Sequence, residues 1–223
     1  MRRVFVAGFT QAPESWTPVT DLLEGDPVLA PVPADLDFVA TAHALDRGPA
    51  EYVGYSMGGR LCLQLALDRP STVHRLVLVS ASPGIEDPEE RAARREADVA
   101  LAREIEQDGV EAFLERWLAQ PLFATLPRER ARVAERVAAN TVEKLTHQVR
   151  TLGQGTQPSN WWRLGALTMP VLIVAGALDR KYVEIARRMA AAIPDARLEI
   201  VDGAGHACHL ERPETVAHLF ASW

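Results

Sequence analysis

Cysteine is almost missing from this chain of 223 residues: there are two, Cys62 and Cys208. They lie far apart without metal-ligand spacing. That excludes a disulfide framework and a cysteine-rich metal site, and it suits buried free thiols in a reducing compartment, so a cytoplasmic location is expected. Long apolar runs are also missing. Every fully apolar stretch falls well short of the roughly 20 residues a membrane span needs, so no membrane partner is expected. The opening MRRVFVAGF has too short an apolar run for a secretory leader and lacks a small-residue cleavage site, so it reads as a first buried strand. No basic surplus exists either. Lys and Arg total 24 against 30 Asp and Glu, a formal charge of −6, which implies no general affinity for nucleic acid or anionic membrane. There is no internal repeat, no low-complexity segment, no glycine-rich dinucleotide fingerprint, no P-loop and no clustered His/Cys set. Neither a metal nor an organic cofactor is expected.

Hydrophobic residues make up 48% of the chain, enough for one globular domain with a core and an inserted subdomain. Short β-branched or apolar runs alternate with helical patterns. Strands are expected over Arg3–Ala7, Val28–Pro31, Glu51–Tyr55, Arg75–Ser80, Val171–Ala175 and Leu198–Val201. Helices are expected over Trp16–Leu23, Leu36–Leu45, Met57–Leu67, Val183–Ala192 and Pro213–Ser222. Such alternation means an α/β fold: a mainly parallel sheet with helices on both faces. The continuous apolar run VLIVAG suits a strand buried on both sides. Between Ser82 and Met169 the alternation stops. That stretch reads as helices over Pro88–Glu106, Val110–Ala119, Arg128–Ala138 and Thr141–Leu152, separated by turn signals such as QDG, QPLF and LPRE. We expect residues 82–168 to form a helical cap inserted in a core of residues 1–81 and 169–223. The segment from Ser82 to Met169 holds 12 Lys or Arg against 14 Asp or Glu, so it is no polyanion surface, and its RAARRE and RERAR runs read as solvated helix faces.

The stretch VGYSMGGR at residues 53–60 carries chemistry. Gly54-x-Ser56-x-Gly58 follows a strand and opens a helix, the setting of a nucleophile elbow, in which small residues flank a sharp bend. A serine needs a histidine to take its proton and an acid to orient that histidine. On such a fold the order along the chain is serine, acid, histidine, each just past a strand. VLIVAGALD delivers Asp179 and LEIVDGAGH delivers His206, both at the carboxyl edge of the sheet. Asp202 is a competing acid but lies too near its strand end and too near His206. His43 and His147 fall on helices, His74 precedes a strand, His218 lies on the last helix, and His209 lies past the strand–loop junction. An oxyanion hole would take the N–H of Met57 and one from the loop after the first strand, with Phe9 preferred and Thr10 the alternative.

This constellation resembles the α/β-hydrolase superfamily over the whole chain. Three stretches narrow the likeness: GYSMGGR, SASPGIEDPEERAARREAD and FLERWLAQPLFATL. Together they are similar to the 2-succinyl-6-hydroxy-2,4-cyclohexadiene-1-carboxylate synthases of menaquinone biosynthesis. The resemblance implies a lyase in which the triad serine acts as a general base on a ring C–H and pyruvate is eliminated. It also implies a substrate site made by Tyr55 and Arg60, by Arg94 meeting a substrate carboxylate from the cap (with Arg91 or Arg95 as substitutes), by Trp117, and by Lys181 two residues past Asp179. Arg60 lies in the first turn of a helix, where a cation is disfavoured by a few tenths of a kcal/mol, so its place suggests a local purpose; planar guanidinium groups bind carboxylates bidentately. The chain departs from the family pattern twice. Ala7-Gly8-Phe9 replaces a His-Gly pair before the oxyanion residue, and LAPVPADLDF replaces a glycine-containing loop after the second strand.

Three activities therefore stand open: the carbon–oxygen lyase; a serine hydrolase, either a carboxylesterase or a carbon–carbon bond hydrolase, using the same Ser56, His206 and Asp179; and a ligand-binding protein with an idle triad. The partner in each is a small molecule. Inward-pointing positive charge in the pocket distinguishes the first. The sequence leaves oligomeric state open.

Overall fold

The computed structural model describes residues 2–223. Six strands, β1 (Arg3–Val6), β2 (Val28–Ala30), β3 (Ala50–Tyr55), β4 (Val73–Val79), β5 (Val171–Gly176) and β6 (Ala196–Val201), form one sheet ordered β2-β1-β3-β4-β5-β6. Every neighbouring pair is parallel. Val6 pairs with Ala30 on one side and with Gly54 on the other. The chain thus winds outward in both directions from the β1–β3 boundary. Loops leaving these two strands diverge there and open a crevice at their carboxyl ends.

Alternating side chains bury both faces of the sheet. Val4, Val6, Tyr52, Leu76, Leu78 and Ile173 pack with Leu61 and Leu65 of α3 (Met57–Asp68). Phe5, Val53, Val77, Leu172 and Val174 pack on the other face with Trp16, with Val216 and Phe220 of α9 (Pro213–Ser222), and beside α1 (Thr17–Thr20). Each such side chain contributes about 1.5–3 kcal/mol by leaving water. The remaining core-flanking helices are α2 (Phe38–Ala44), α7 (Arg180–Ala192) and the short α8 (Cys208–Glu211).

Between β4 and β5 there is no strand among the described residues. The segment holds α4 (Pro88–Leu118), α5 (Val133–Ala139) and α6 (Val142–Leu152). Asp87 caps α4 by accepting the Glu90 N–H at 2.8 Å, and Thr141 caps α6 through Lys144 at 3.2 Å. At Gly109, φ 75° and ψ 177° break the helical path, so α4 bends where the sequence reads QDG. Its two limbs close on α6 through Ala102, Ile105, Phe113, Leu114, Leu145 and Val149. No helix among the described residues is long and apolar enough to cross a membrane.

Two expected helices differ from the structure. The expected helix over Trp16–Leu23 is only α1, entered through a 3₁₀ turn at Pro13–Trp16 and ending in turns before Gly25 at φ 99°. The expected helix over Arg128–Ala138 is a 3₁₀ turn at Arg128–Arg130, a left-handed Arg132 at φ 54°, and then α5. The physical reason lies at Ala131: its carbonyl accepts the Arg136 side-chain Nε at 2.7 Å, and the chain turns around that bond.

Candidate active site

The elbow between β3 and α3 is tight in three dimensions. A side-chain carbon on Gly54 would lie 2.5 Å from the Gly58 carbonyl oxygen, and one on Gly58 would lie 2.3 Å from the Val6 carbonyl oxygen. The glycines at both flanks are therefore required by close backbone approach, not by turn preference. Gly58→Ala is expected to lower folding stability by about 1–3 kcal/mol through overpacking against β1, read as a drop in the thermal midpoint. An unchanged midpoint would mean that this approach is looser than described.

Ser56 itself holds φ 49° and ψ −109°, a backbone strain of order 1–3 kcal/mol found at sites that present a side chain. Its N–H donates to the Val79 carbonyl at 2.9 Å, and its carbonyl accepts from Arg60 N at 3.0 Å. His206 Nε2 lies 3.2 Å from Ser56 Oγ, and His206 Nδ1 donates to Asp179 Oδ2 at 2.7 Å. The other Asp179 oxygen accepts the Tyr182 N–H at 3.3 Å and so caps α7. One carboxylate starts a helix and orients an imidazole. The exposed Asp202 makes no such bond among the described residues. The His206 ring is buried beside the rings of Tyr182, 4.5 Å away between centroids, and Tyr55, 5.4 Å away. This shuts bulk water away from the proton path.

Ser56 and His206 open on a cavity of about 560 Å³ beneath α4 and α6. Met57 and Phe9 line it beside the serine. Phe9 is the second residue of a turn closed by Gln11 N donating to the Gly8 carbonyl at 3.1 Å, with Thr10 at φ 69°. With Ala7 in place of the histidine of the family pattern, this turn is held by other residues. Gln11 Oε1 accepts the Gly8 N–H at 3.2 Å, Asn140 Nδ2 donates to the Thr10 carbonyl at 2.8 Å, and Arg136 donates to the Thr10 hydroxyl. Gln11 Nε2 also meets His209 Nε2 at 3.4 Å. The α5 end of the chain thus holds the turn.

The cationic residues differ in their surroundings. Arg60 is 6% exposed and lines the cavity. Its Nη1 donates to Gln157 Oε1 at 3.1 Å, and it lies 5.7 Å from the Phe38 ring centroid. Among the described residues no carboxylate lies within ion-pair distance of it. Burial pushes its guanidinium down to about 10, with Arg94 adding repulsion, so it stays charged near neutrality. Arg94 lines the same cavity but is paired, its Nε 2.7 Å from Asp98 Oδ1. Of its substitutes, Arg95 donates to the Gly155 carbonyl at 3.2 Å. Trp117 lines the cavity while packing edge-on against Phe9 with centroids 5.2 Å apart, so it is wall and core at once. Lys181 reaches the lining from an exposed position, and Tyr55 from a buried one.

Arg136 escaped the sequence reading. It is 2% exposed, lines the cavity, and has no carboxylate partner among the described residues. Burial pushes it down to about 10 as well. Its only sequence mark is an arginine on an expected cap helix, which reads as solvated. His209 is the other unexpected residue. It is fully buried, its ring is 4.2 Å from Tyr55 and 4.7 Å from Trp16, and its Nδ1 has no partner. Burial, then Arg136 and His206, hold its pKa well below the ordinary value, so it is neutral when folded. The unfolded chain binds a proton there below about pH 6.5 and the folded chain resists it. Stability conferred by neutral His209 is therefore complete above that pH and falls as acid is added. Denaturant titrations should show His209→Gln flattening the slope of stability below about pH 6.5; an unchanged slope would refute the assignment.

A family model for the alpha/beta hydrolase fold matches residues 6–213. A Bacillus subtilis protein provisionally named as a 2-succinyl-6-hydroxy-2,4-cyclohexadiene-1-carboxylate synthase is 35% identical over 175 residues, covering 77% of this chain and 64% of that protein. The synthase of that name from Salmonella typhimurium is 27% identical over 236 residues, covering 98% and 91%. The structure of MenH from S. aureus matches with a TM-score of 0.91 at 27% identity, covering all of this chain and 92% of the other. The match spans just under two thirds, 64%, of the Bacillus subtilis relative.

Proposed function

The chain belongs to the alpha/beta-hydrolase family, and within it we propose a carbon–oxygen lyase that eliminates pyruvate from a polycarboxylate cyclohexene intermediate of menaquinone biosynthesis. On this reading residues 82–168 act as a cap over core segments 1–81 and 169–223. His206, oriented by Asp179, takes the Ser56 proton, and the Ser56 oxygen then removes a ring C–H proton. The C–H electron pair becomes a ring double bond. The ring C–O bond breaks, its electrons leave on the enolpyruvyl oxygen, and protonation of that fragment gives pyruvate. The N–H groups of Met57 and Phe9 stabilise charge that develops on a carbonyl conjugated with the reacting carbon. Arg60 and Arg136 hold substrate carboxylates, joined by Arg94 through the guanidinium edge that Asp98 leaves free, and by Lys181. Tyr55 and Trp117 form the wall against the ring.

One observation carries the proposal: two buried guanidinium groups face the Ser56 cavity with no carboxylate of the protein within ion-pair distance, Asp98 acting on Arg60 and Glu135 on Arg136 only from further away. Buried cations without an ion-pair partner are costly, and a polyanionic ligand would lower that cost. The apolar lining residues Leu101, Leu122 and Phe123 favour a second reading, hydrolysis of an ester by Ser56 attack on its carbonyl. The deciding assay compares pyruvate release from the menaquinone intermediate with hydrolysis of a nitrophenyl ester. Brisk ester turnover without pyruvate would replace the lyase by a hydrolase.

Arg60→Ala is expected to lower kcat/KM for pyruvate release by about 10- to 100-fold, mostly through KM, as the loss of one charge-assisted hydrogen bond requires. Steady-state kinetics check this. A silent Arg60→Ala would remove the carboxylate clamp from the account.

A further inference from the structure

Glu211 is a carboxylate at the end of α8, only 3% exposed. No cation lies within ion-pair distance of it among the described residues. Its charge is met by backbone instead. Oε2 accepts the Gly205 N–H at 2.8 Å and Oε1 accepts the Ala207 N–H at 3.1 Å. These two amides flank His206. Both oxygens of one buried side chain therefore pin the chain immediately before and immediately after the imidazole that reaches Ser56 and Asp179. The anchor is itself held: Glu211 N donates to the Ala207 carbonyl at 3.0 Å, and the Glu211 carbonyl accepts Arg130 Nη1 at 2.8 Å from the 3₁₀ turn at Arg128–Arg130.

We propose that Glu211 is the positioning residue of His206, fixing the backbone on either side of the imidazole so that its two ring nitrogens meet Ser56 and Asp179 together. A carboxylate is required because only it offers two acceptors and no donor. A glutamine in the same place accepts from one amide and turns its own N–H groups against the other. Acting through His206, Glu211 touches neither substrate nor reacting atom. The inference rests on the reading of His206 as the proton acceptor of Ser56.

The test uses the full chain, ¹⁵N-labelled, as wild type, Glu211→Gln and Glu211→Ala. Thermal unfolding reports folding. The His206 Nδ1–H resonance reports the bond to Asp179. Turnover is followed as pyruvate release, and Ser56 reactivity as the rate of phosphonylation by a fluorophosphonate ester. Glu211→Gln is expected to fold, to lose about 100-fold in kcat with KM little changed, and to shift or broaden the His206 resonance. Glu211→Ala should lose more. In the wild type, the Gly205 and Ala207 amides should be protected from hydrogen exchange. A folded Glu211→Gln with wild-type kcat and an unmoved resonance would overturn the proposal, as would free exchange of those two amides. The exchange result stands even if Glu211→Ala does not fold. If the wild type releases no pyruvate, the lyase reading fails alone, because phosphonylation and the resonance still report on Glu211.

Discussion

Ser56→Ala is expected to reduce pyruvate release by about 10⁴-fold or more while leaving substrate binding in place. Ser56 and His206 both line the cavity, but the imidazole is 2% exposed and lies 3.2 Å from the serine oxygen, which is the more open of the two. Without that oxygen, the proposed proton transfer loses the group that meets the ring C–H. The guanidinium groups proposed to hold the substrate are untouched, so calorimetric titration should return an affinity near that of the wild type. The hydroxyl is not deeply buried, so stability should stay within about 0.5 kcal/mol. Substantial activity in Ser56→Ala would assign the base to His206 directly, and the serine would then be a bystander in elimination.

Asp179→Asn should cost about 10⁴-fold in kcat, for a reason the bond geometry supplies. Asp179 uses one oxygen to cap α7 and the other to accept His206 Nδ1–H at 2.7 Å. The amide keeps the capping oxygen, so the fold survives. Its nitrogen then faces the imidazole and donates to Nδ1. The ring is left with its proton on Nε2, turned toward Ser56, in the tautomer that cannot accept the serine proton. Thermal unfolding should be close to wild type while single-turnover pyruvate release collapses. An unimpaired Asp179→Asn would show that another acid supports the histidine.

The inner strands were readable because β3 and β5 are buried on both faces, which makes runs such as VLIVAG nearly continuous in apolar residues. The elbow was readable because close packing of Gly54 and Gly58 against backbone leaves a fixed spacing in the chain. Asp179 and His206 were readable from their place after strands. Arg60 was readable from an awkward local position, a cation in the first turn of a helix. What escaped depends on tertiary burial. Arg136 looks in sequence like any charged residue of a solvated helix, and only the fold shows it inside. The break at Arg132 is set by a side chain of α5 reaching back to a carbonyl, which no propensity records. The Arg94–Asp98 pair was visible at i,i+4 spacing, yet the family likeness drew attention to Arg94 as a lone cation.

The turn at Thr10 depends on residues 126 and 130 positions further along the chain, through the Arg136 and Asn140 bonds. A β-branched residue at positive φ relaxes once those bonds are lost. The two donors of the proposed oxyanion hole thus have different supports: Met57 belongs to the elbow beside the sheet, whereas the Phe9 turn is tied through Thr10 to Arg136 and Asn140 over the cavity. If residues 82–168 lift to admit or discharge a ligand, the same movement would disarm the serine, and water entering at that moment would find no assembled machinery to exploit.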